Sequence, residues 1–182
     1  RDISEEQVFT EEFKPPATDG TGRNRRNLRQ AGKLLDAAGW KLQEGARVNT
    51  VTGEVLNVEI LYFSPTFERV FGPYARNLER LGIAVNLRLV DPSQYIKRLE
   101  EHDFDVTTRR FVQQLSPGSE LWSYFGSASA DQPGALNSAG IKDPVIDDLI
   151  AKILAAPDRE SMKVAARALD RVLLWGHYIV PQ

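Results

Sequence analysis

Hydrophobic positions along the chain switch repeatedly between the spacing of a helix and that of a strand. Apolar side chains recur every three or four residues over 27–38, which predicts an amphipathic helix that ends at Gly39. Residues 55–63 are instead rich in β-branched and aromatic side chains, and they predict a strand. Similar runs at 83–90 and 104–111 predict two further strands.

Residue pairs that favour a helix start separate these strands and open the last part of the chain. Ser-Pro or Asp-Pro occurs at 64–65, 91–92 and 143–144, where the first side chain caps free N–H groups and the proline occupies the first turn. Asp158 is predicted to open one more amphipathic helix. Residues 1–26, with paired prolines and two glycines, predict an extended entry or linker segment.

The order strand, helix, strand, helix, strand over residues 55–111 determines the predicted fold class. Crossovers of this length join parallel strands and are right-handed. We therefore expect an α/β fold, in which a mixed sheet is flanked by helices.

Composition narrows the possible functions. The chain of 182 residues is 42% hydrophobic and 26% charged, with a formal net charge of -2 and no cysteine. These values fit one globular domain or a lobe of something larger, and they exclude disulfides and cysteine nucleophiles. The net charge does not favour nucleic acid or an anionic membrane as a partner. The basic cluster at 23–29 is interpreted as a solvated first helical turn rather than a phosphate site, because a helix N-terminus attracts anions.

Residues that could support catalysis or bind a metal are few. His102 and His177, the two histidines, lack the spacing of a zinc-binding helix, so we predict no metal and no cofactor. Asp103 and Asp105 could form a catalytic carboxylate pair. Their simpler role is to bond N–H groups at the entry of a strand, so we expect no enzyme.

The segment FDVTTRRFVQQLSPGSELWSYFGS, residues 104–127, changes character where its predicted strand ends. Two glutamines, a Ser-Pro-Gly turn and a cluster of aromatic residues follow directly. Open α/β sheets place ligands beyond the carboxyl ends of their strands. The segment is therefore predicted to form the floor of a ligand cleft, and Trp122 suits a structural role under a loop equally well.

Six motifs, separated along the chain, carry a family resemblance. They are LLDAAGW, TGEVLNVEILYFSPTFERVFGPYARNLERLGIAVNLRLVDPSQYIKRL, DFDVTTRRF, LSPGSELW, SASADQPGALNSAGIKDPVIDDLI and RALDRVLLWGHYIVPQ. In this order they resemble the second lobe of an extracellular solute-binding protein of family 5, over about Phe9 to Gln182. Within the family, the resemblance is strongest to the peptide and microcin C type that serves ATP-driven importers.

The resemblance implies a lobe of the type II periplasmic-binding-protein fold, within a two-lobed receptor that closes on its ligand. It implies that residues 27–182 belong to the second lobe and that the first lobe and a secretion signal lie outside this chain. It also implies an oligopeptide or peptide conjugate as ligand, permease subunits of an ABC importer as partners, a periplasmic location in a Gram-negative bacterium and only peripheral membrane contact. Two alternatives remain: the sensing module of a cytoplasmic transcriptional regulator and, less favoured, a carboxylate-dependent hydrolase.

The resemblance also indicates where the ligand binds. In peptide-binding relatives, an aromatic residue after this strand is followed three positions later by an aspartate that pairs with the α-amine of the peptide. The matching positions here are Phe111 and Gln114, and an amide cannot supply that counter-charge. A blocked or modified peptide, or an amine held by Glu120, therefore remains possible.

We expect the glutamines and the serine of this segment to bond the ligand backbone and its aromatic residues to pack against ligand side chains. The predicted ligand-binding residues are Arg110, Phe111, Gln113, Gln114, Ser116, Glu120 and Trp122.

Overall fold

A computed structural model describes residues 5–18, 20–22, 24–112 and 115–180 of the chain. The helices are α1 (Glu5–Thr10), α2 (Arg25–Ala37), α3 (Glu68–Glu79), α4 (Pro92–Glu100), α5 (Glu120–Phe125), α6 (Pro144–Leu154) and α7 (Arg159–Trp175). The strands are β1 (Trp40–Gln43), β2 (Ala46–Asn49), β3 (Asn57–Tyr62), β4 (Ala84–Leu89) and β5 (Val106–Thr107).

Contacts between residues divide the chain into two compact units, a division that the sequence did not predict. The sheet unit comprises Pro16–Leu99 and Asp103–Thr108. The helical unit takes its described residues from Arg1–Pro15, Glu100–His102 and Arg109–Gln182. All five strands lie in the sheet unit, whereas α1, α5, α6 and α7 lie in the helical unit.

The sheet unit has the predicted parallel strands. β3 pairs in parallel with β4 on one side and with β5 on the other, so the order is β4-β3-β5. β1 and β2 form a separate antiparallel hairpin. Ile60 and Tyr62 of β3 are buried and pack with Phe71 of α3, whose ring centroid lies 5.3 Å from that of Tyr62. The crossover helix thus covers the sheet with its apolar face, as the spacing of hydrophobic residues predicted.

Arg47 on β2 joins three parts of the sheet unit. Its guanidinium donates to the Leu81 carbonyl over 2.7 Å, to Asp36 Oδ1 over 2.8 Å and to the Trp40 carbonyl over 3.1 Å. Gly82 lies beside it at a φ of 84°, and a Cβ there would lie 2.5 Å from Leu42 Cδ1. Glycine permits both this backbone conformation and the close approach of the hairpin.

Helix starts follow the prediction at three of the four positions. Asp91 accepts the Ser93 and Gln94 N–H groups, and Asp143 and Asp158 accept one N–H group each at α6 and α7. The fourth prediction, a hydroxyl cap at Ser64, is wrong, because that side chain makes no capping hydrogen bond. The chain there forms a short 3₁₀ turn over Pro65–Phe67 before α3 begins.

Two other predictions need correction. The segment 1–26 is not extended throughout, because α1 is helical and buries Val8 in the core of the helical unit, where tertiary packing stabilises so short a helix. The strand predicted over 104–111 is limited to Val106–Thr107. Hydrogen bonds from side chains replace the backbone ladder there: Thr107 Oγ1 donates to the Leu61 carbonyl, and the Tyr95 hydroxyl donates to the Thr108 carbonyl.

Replacing Arg47 with methionine should lower the free energy of unfolding by about 2–4 kcal/mol, because two backbone carbonyls lose a charged donor. The share due to Asp36 should be small, since its side chain is half exposed. Urea unfolding followed by circular dichroism measures the change. The control Arg80→Met removes an exposed side chain and should shift the value by less than about 0.5 kcal/mol. Equal effects of the two variants would contradict the role assigned to Arg47.

The cap at α7 should make the stability of this helix depend on pH. The backbone N–H and the side-chain hydroxyl of Ser161, which bond the Asp158 carboxylate, lower its pKa. Its stabilising effect is therefore complete above the unfolded-state pKa of about 3.9 and declines as pH falls through the lower folded-state pKa. Asp158→Ala should have a lower melting temperature than the wild type at pH 7, and the difference should shrink below about pH 4.

The variant Asp158→Asn is the matched control, because asparagine caps a helix about as well and does not titrate. It should melt close to the wild type at pH 7. A difference in melting temperature between Asp158→Ala and the wild type that stays constant down to pH 2 would show that the carboxylate charge does not contribute.

Candidate ligand-binding site

From Arg109 onward, the described part of the candidate segment lies in the helical unit and packs on its core. Leu121, Tyr124 and Phe125 of α5 are buried, and they join isoleucines of α6 and two residues of α7 in one apolar cluster. Ile146 and Ile150 are fully buried in this cluster, and each contributes about 1.5–3 kcal/mol by leaving water. The segment is therefore held on a well-packed base.

A buried asparagine fixes the connection between α5 and α6. The side chain of Asn137 has no exposed surface. Its amide donates to the Gly126 carbonyl over 3.1 Å and to the Ile141 carbonyl over 2.9 Å, and its oxygen accepts the Ile141 N–H over 2.9 Å. The Gly126 carbonyl also accepts the Ser129 hydroxyl over 2.8 Å. These bonds hold the end of α5 next to the start of α6.

Phe111 lies against this base rather than free in solution. Its ring is half-buried, 5.3 Å from the Tyr124 ring in an edge-on arrangement and 5.3 Å from the Phe125 ring. The Tyr124 hydroxyl donates to the Val112 carbonyl over 3.3 Å. Phe111 thus anchors the segment and keeps part of its ring accessible.

The other predicted residues divide into exposed and packed positions. Arg110 and Ser116 are exposed, and Trp122 is half-buried against the same core. Glu120 is half-buried, and its carboxylate accepts the Gly118 N–H over 2.8 Å, which closes the Ser-Pro-Gly turn. Gln113 and Gln114 lie outside the described residues.

A cavity of about 340 Å³ opens beside the segment within the helical unit. Its size falls at the lower end of the range for small-molecule sites, about 300–1,000 Å³. The candidate segment, which includes α5, and helix α7 supply nine of the eleven lining residues. The lining residues are Phe111, Pro117, Leu121, Phe125, Ile153, Ala166, Leu169, Asp170, Leu173, Leu174 and Ile179. Ten of these eleven side chains are apolar, and the exception is Asp170.

Sequence reasoning missed both α5 and this cavity. It interpreted α7 as an ordinary amphipathic core helix, although one signal was available. Ala166, Asp170, Leu173 and Leu174 follow the spacing of one helical face, so a carboxylate interrupts an apolar stripe. A charge in such a stripe indicates an edge of the core where ligand or solvent has access.

The aspartates considered for catalysis have structural partners. Asp105, at the entry of β5, accepts the Glu59 N–H over 2.8 Å; its role is structural as predicted, but the bonded N–H lies on strand β3 and not in a loop. Asp103 accepts Arg98 Nε over 2.7 Å, and Glu59 accepts Arg98 Nη2 over 2.6 Å. The carboxylates of Asp103 and Glu59 together raise the pKa of Arg98. Both aspartates therefore help to hold β5 and α4 against β3.

The described residues contain no cluster of three or more histidines and carboxylates that could hold a metal ion. In the same part of the chain, no helix combines the length and the apolar character of a membrane-spanning segment.

Comparison with known proteins identifies the family. The model described as "Bacterial extracellular solute-binding proteins, family 5 Middle" matches residues 4–132, more than half of the chain. The chain therefore belongs to the family 5 bacterial extracellular solute-binding proteins, as its motifs suggested.

Two relatives align with nearly the whole chain. The uncharacterized protein y4wM of Sinorhizobium fredii is 46% identical over 100% of this chain and 27% of its own length. The probable peptide-binding protein YejA of Agrobacterium fabrum is 44% identical over 97% of this chain and 29% of its own length. The chain thus spans less than a third of the length of these relatives.

A solved structure shows the same fold. The oligopeptide-binding protein AppA of Bacillus subtilis, in complex with a nonapeptide, superposes with a TM-score of 0.73 over 94% of this chain and 33% of that one. At 17% sequence identity, this likeness concerns the fold alone. The fold is that of a type II periplasmic binding protein, as expected.

Replacing Phe111 with alanine tests its role as an anchor. The variant should lower the free energy of unfolding by about 2–3 kcal/mol, less than the roughly 3–5 kcal/mol typical of a fully buried phenylalanine. Ser116→Ala, an exposed change in the same segment, should stay within about 0.5 kcal/mol. Urea unfolding measures both, and a Phe111→Ala variant as stable as the wild type would mean that the ring lies off the core.

Proposed function

We propose that this chain forms part of a receptor that binds oligopeptides or peptide conjugates and delivers them to the permease subunits of an ABC importer. The observation that supports this most is the 44% identity, over 97% of the chain, to a protein named as a probable peptide-binding protein. The fold shared with an oligopeptide-binding protein in complex with a nonapeptide agrees with it.

The proposal includes the place and the architecture of the whole receptor. Residues 27–182 belong to the second of two lobes, and the remaining length seen in the relatives supplies the first lobe. The receptor is located in the periplasm and contacts the membrane only peripherally, through its transporter. Closure of two lobes around a ligand supplies contacts from both sides, so this chain alone should bind weakly.

The receptor is proposed to bind its ligand without catalysis. Members of the family are solute-binding proteins, and Asp103 and Asp105 bond Arg98 and the Glu59 N–H. Both carboxylates therefore have structural partners that account for their positions without a catalytic role.

The candidate segment is proposed to contact the ligand at two kinds of position. Gln113, Gln114 and the exposed Ser116 bond the peptide backbone, whereas Phe111 and Trp122 pack against its side chains. Half-buried aromatic residues on a fixed base suit this role, because little side-chain entropy is lost when a ligand covers them.

The experiment that tests the function identifies the natural ligand. The full-length protein is produced with its own leader, purified from the periplasm without unfolding and then denatured, and the released small molecules are identified by mass spectrometry. Peptides or peptide conjugates are expected. A receptor that releases a non-peptide solute instead would overturn the ligand class.

A second test concerns Gln114. The change Gln114→Ala in the full-length receptor should weaken the binding of the released peptide by about threefold to tenfold, the loss expected for one neutral hydrogen bond. Gln132→Ala, an exposed glutamine change in the helical unit, is the control and should leave the dissociation constant unchanged. Isothermal titration measures both, and unchanged affinity in Gln114→Ala would remove this residue from the site.

A further inference from the structure

The cavity of the helical unit combines an apolar wall with one carboxylate. Leu169 and Leu173 of α7 line it together with Leu121 and Phe125 of α5, and Asp170 of α7 also belongs to its lining. Of the lining residues, Asp170 and Ile179 are exposed, whereas the others are buried or half-buried. The opening of the cavity therefore lies beside the carboxylate.

Asp170 is available to pair with a ligand. Among the described residues, it takes part in no salt bridge. The neighbouring Arg171 donates instead to the carbonyls of Val8 and Glu11, which directs its guanidinium toward the N-terminal segment. A negative charge at the edge of an apolar cavity favours a ligand whose cation lies next to an apolar group.

We infer that this cavity binds an apolar side chain whose own ammonium group pairs with Asp170, as in the first residue of a peptide with a free amine. The inference rests on the proposed function and makes it more specific. It assigns to Asp170 on α7 the counter-charge that Gln114 cannot provide. Phe111 belongs both to the candidate segment and to the lining of the cavity, so the two adjoin.

The volume of the cavity agrees with this occupant. About 340 Å³ is enough for one large aliphatic or aromatic side chain together with its backbone atoms. Each methylene that enters should tighten binding roughly fourfold, because its transfer from water contributes about 0.8 kcal/mol. The ammonium group should add a smaller factor, about twofold to fivefold, because Asp170 is exposed to solvent.

The test uses simple probes on the full-length receptor after its natural ligand has been removed. Butylamine, pentylamine and hexylamine are titrated by calorimetry or by NMR, with hexanol as the neutral counterpart of hexylamine. We expect affinity to rise roughly fourfold per methylene and hexylamine to bind about twofold to fivefold more tightly than hexanol.

Two pairs of variants locate the binding. Ala166→Leu fills the cavity and should weaken the binding of both hexylamine and hexanol at least tenfold. Ala151→Leu, on the exposed side of α6, should change the affinity for neither probe. Asp170→Asn should remove the preference for the amine and leave hexanol unaffected. Glu160→Gln, which removes an exposed charge from the same helix outside the cavity, should keep that preference.

The outcomes separate the inference from the proposed function. Suppose that the receptor releases peptides but that its Ala166→Leu or Asp170→Asn variant binds hexylamine as tightly as the wild type. This result would overturn the inference alone. Receptor that releases a non-peptide solute but shows the expected rise in affinity per methylene and both variant effects would support the amine site and overturn the peptide ligand. Circular dichroism of each variant separates loss of binding from loss of folding.

Discussion

The site in this chain depends on one buried amide. Without the Asn137 side chain, both backbone groups of Ile141 would lose this partner in the interior, at a cost of about 1–3 kcal/mol for each group left unsatisfied, and the Gly126 carbonyl would keep only its bonds from Ser129. Apolar packing alone would let α5 shift against α6, because it has no direction. The three hydrogen bonds of Asn137 remove that freedom, and so they fix the wall from which the aromatic residues and the cavity are built.

Elements stabilised by local interactions were predictable from the sequence, whereas those that depend on distant contacts were not. α4, α6 and α7 begin at Asp91, Asp143 and Asp158, whose side chains bond N–H groups two or three residues later. α1 and α5 have six residues each, too few to form alone, and both exist because the core of the helical unit covers their apolar side chains.

The candidate site, too, was predictable from the sequence only where its signal is local in the chain. A change of composition after a strand was enough to single out the segment with Phe111 and Trp122, and the order of six motifs was enough to find the family. The cavity brings that segment together with α5, α6, α7 and residue 179, which are far apart in the chain. Helical periodicity assigned Leu169 and Leu173 to a core but could not show that the core is incomplete beside Asp170.

The two-residue strand β5 separates the evolution of the sheet from that of the candidate segment. Its last contacts are made by the side chains of Thr107 and Tyr95, and they end at the Thr108 carbonyl. From Arg109 onward, none of the residues that the structure describes takes part in the sheet ladder. Relatives can therefore exchange, lengthen or shorten residues 109–119 to suit new solutes without disturbing the register of the parallel strands.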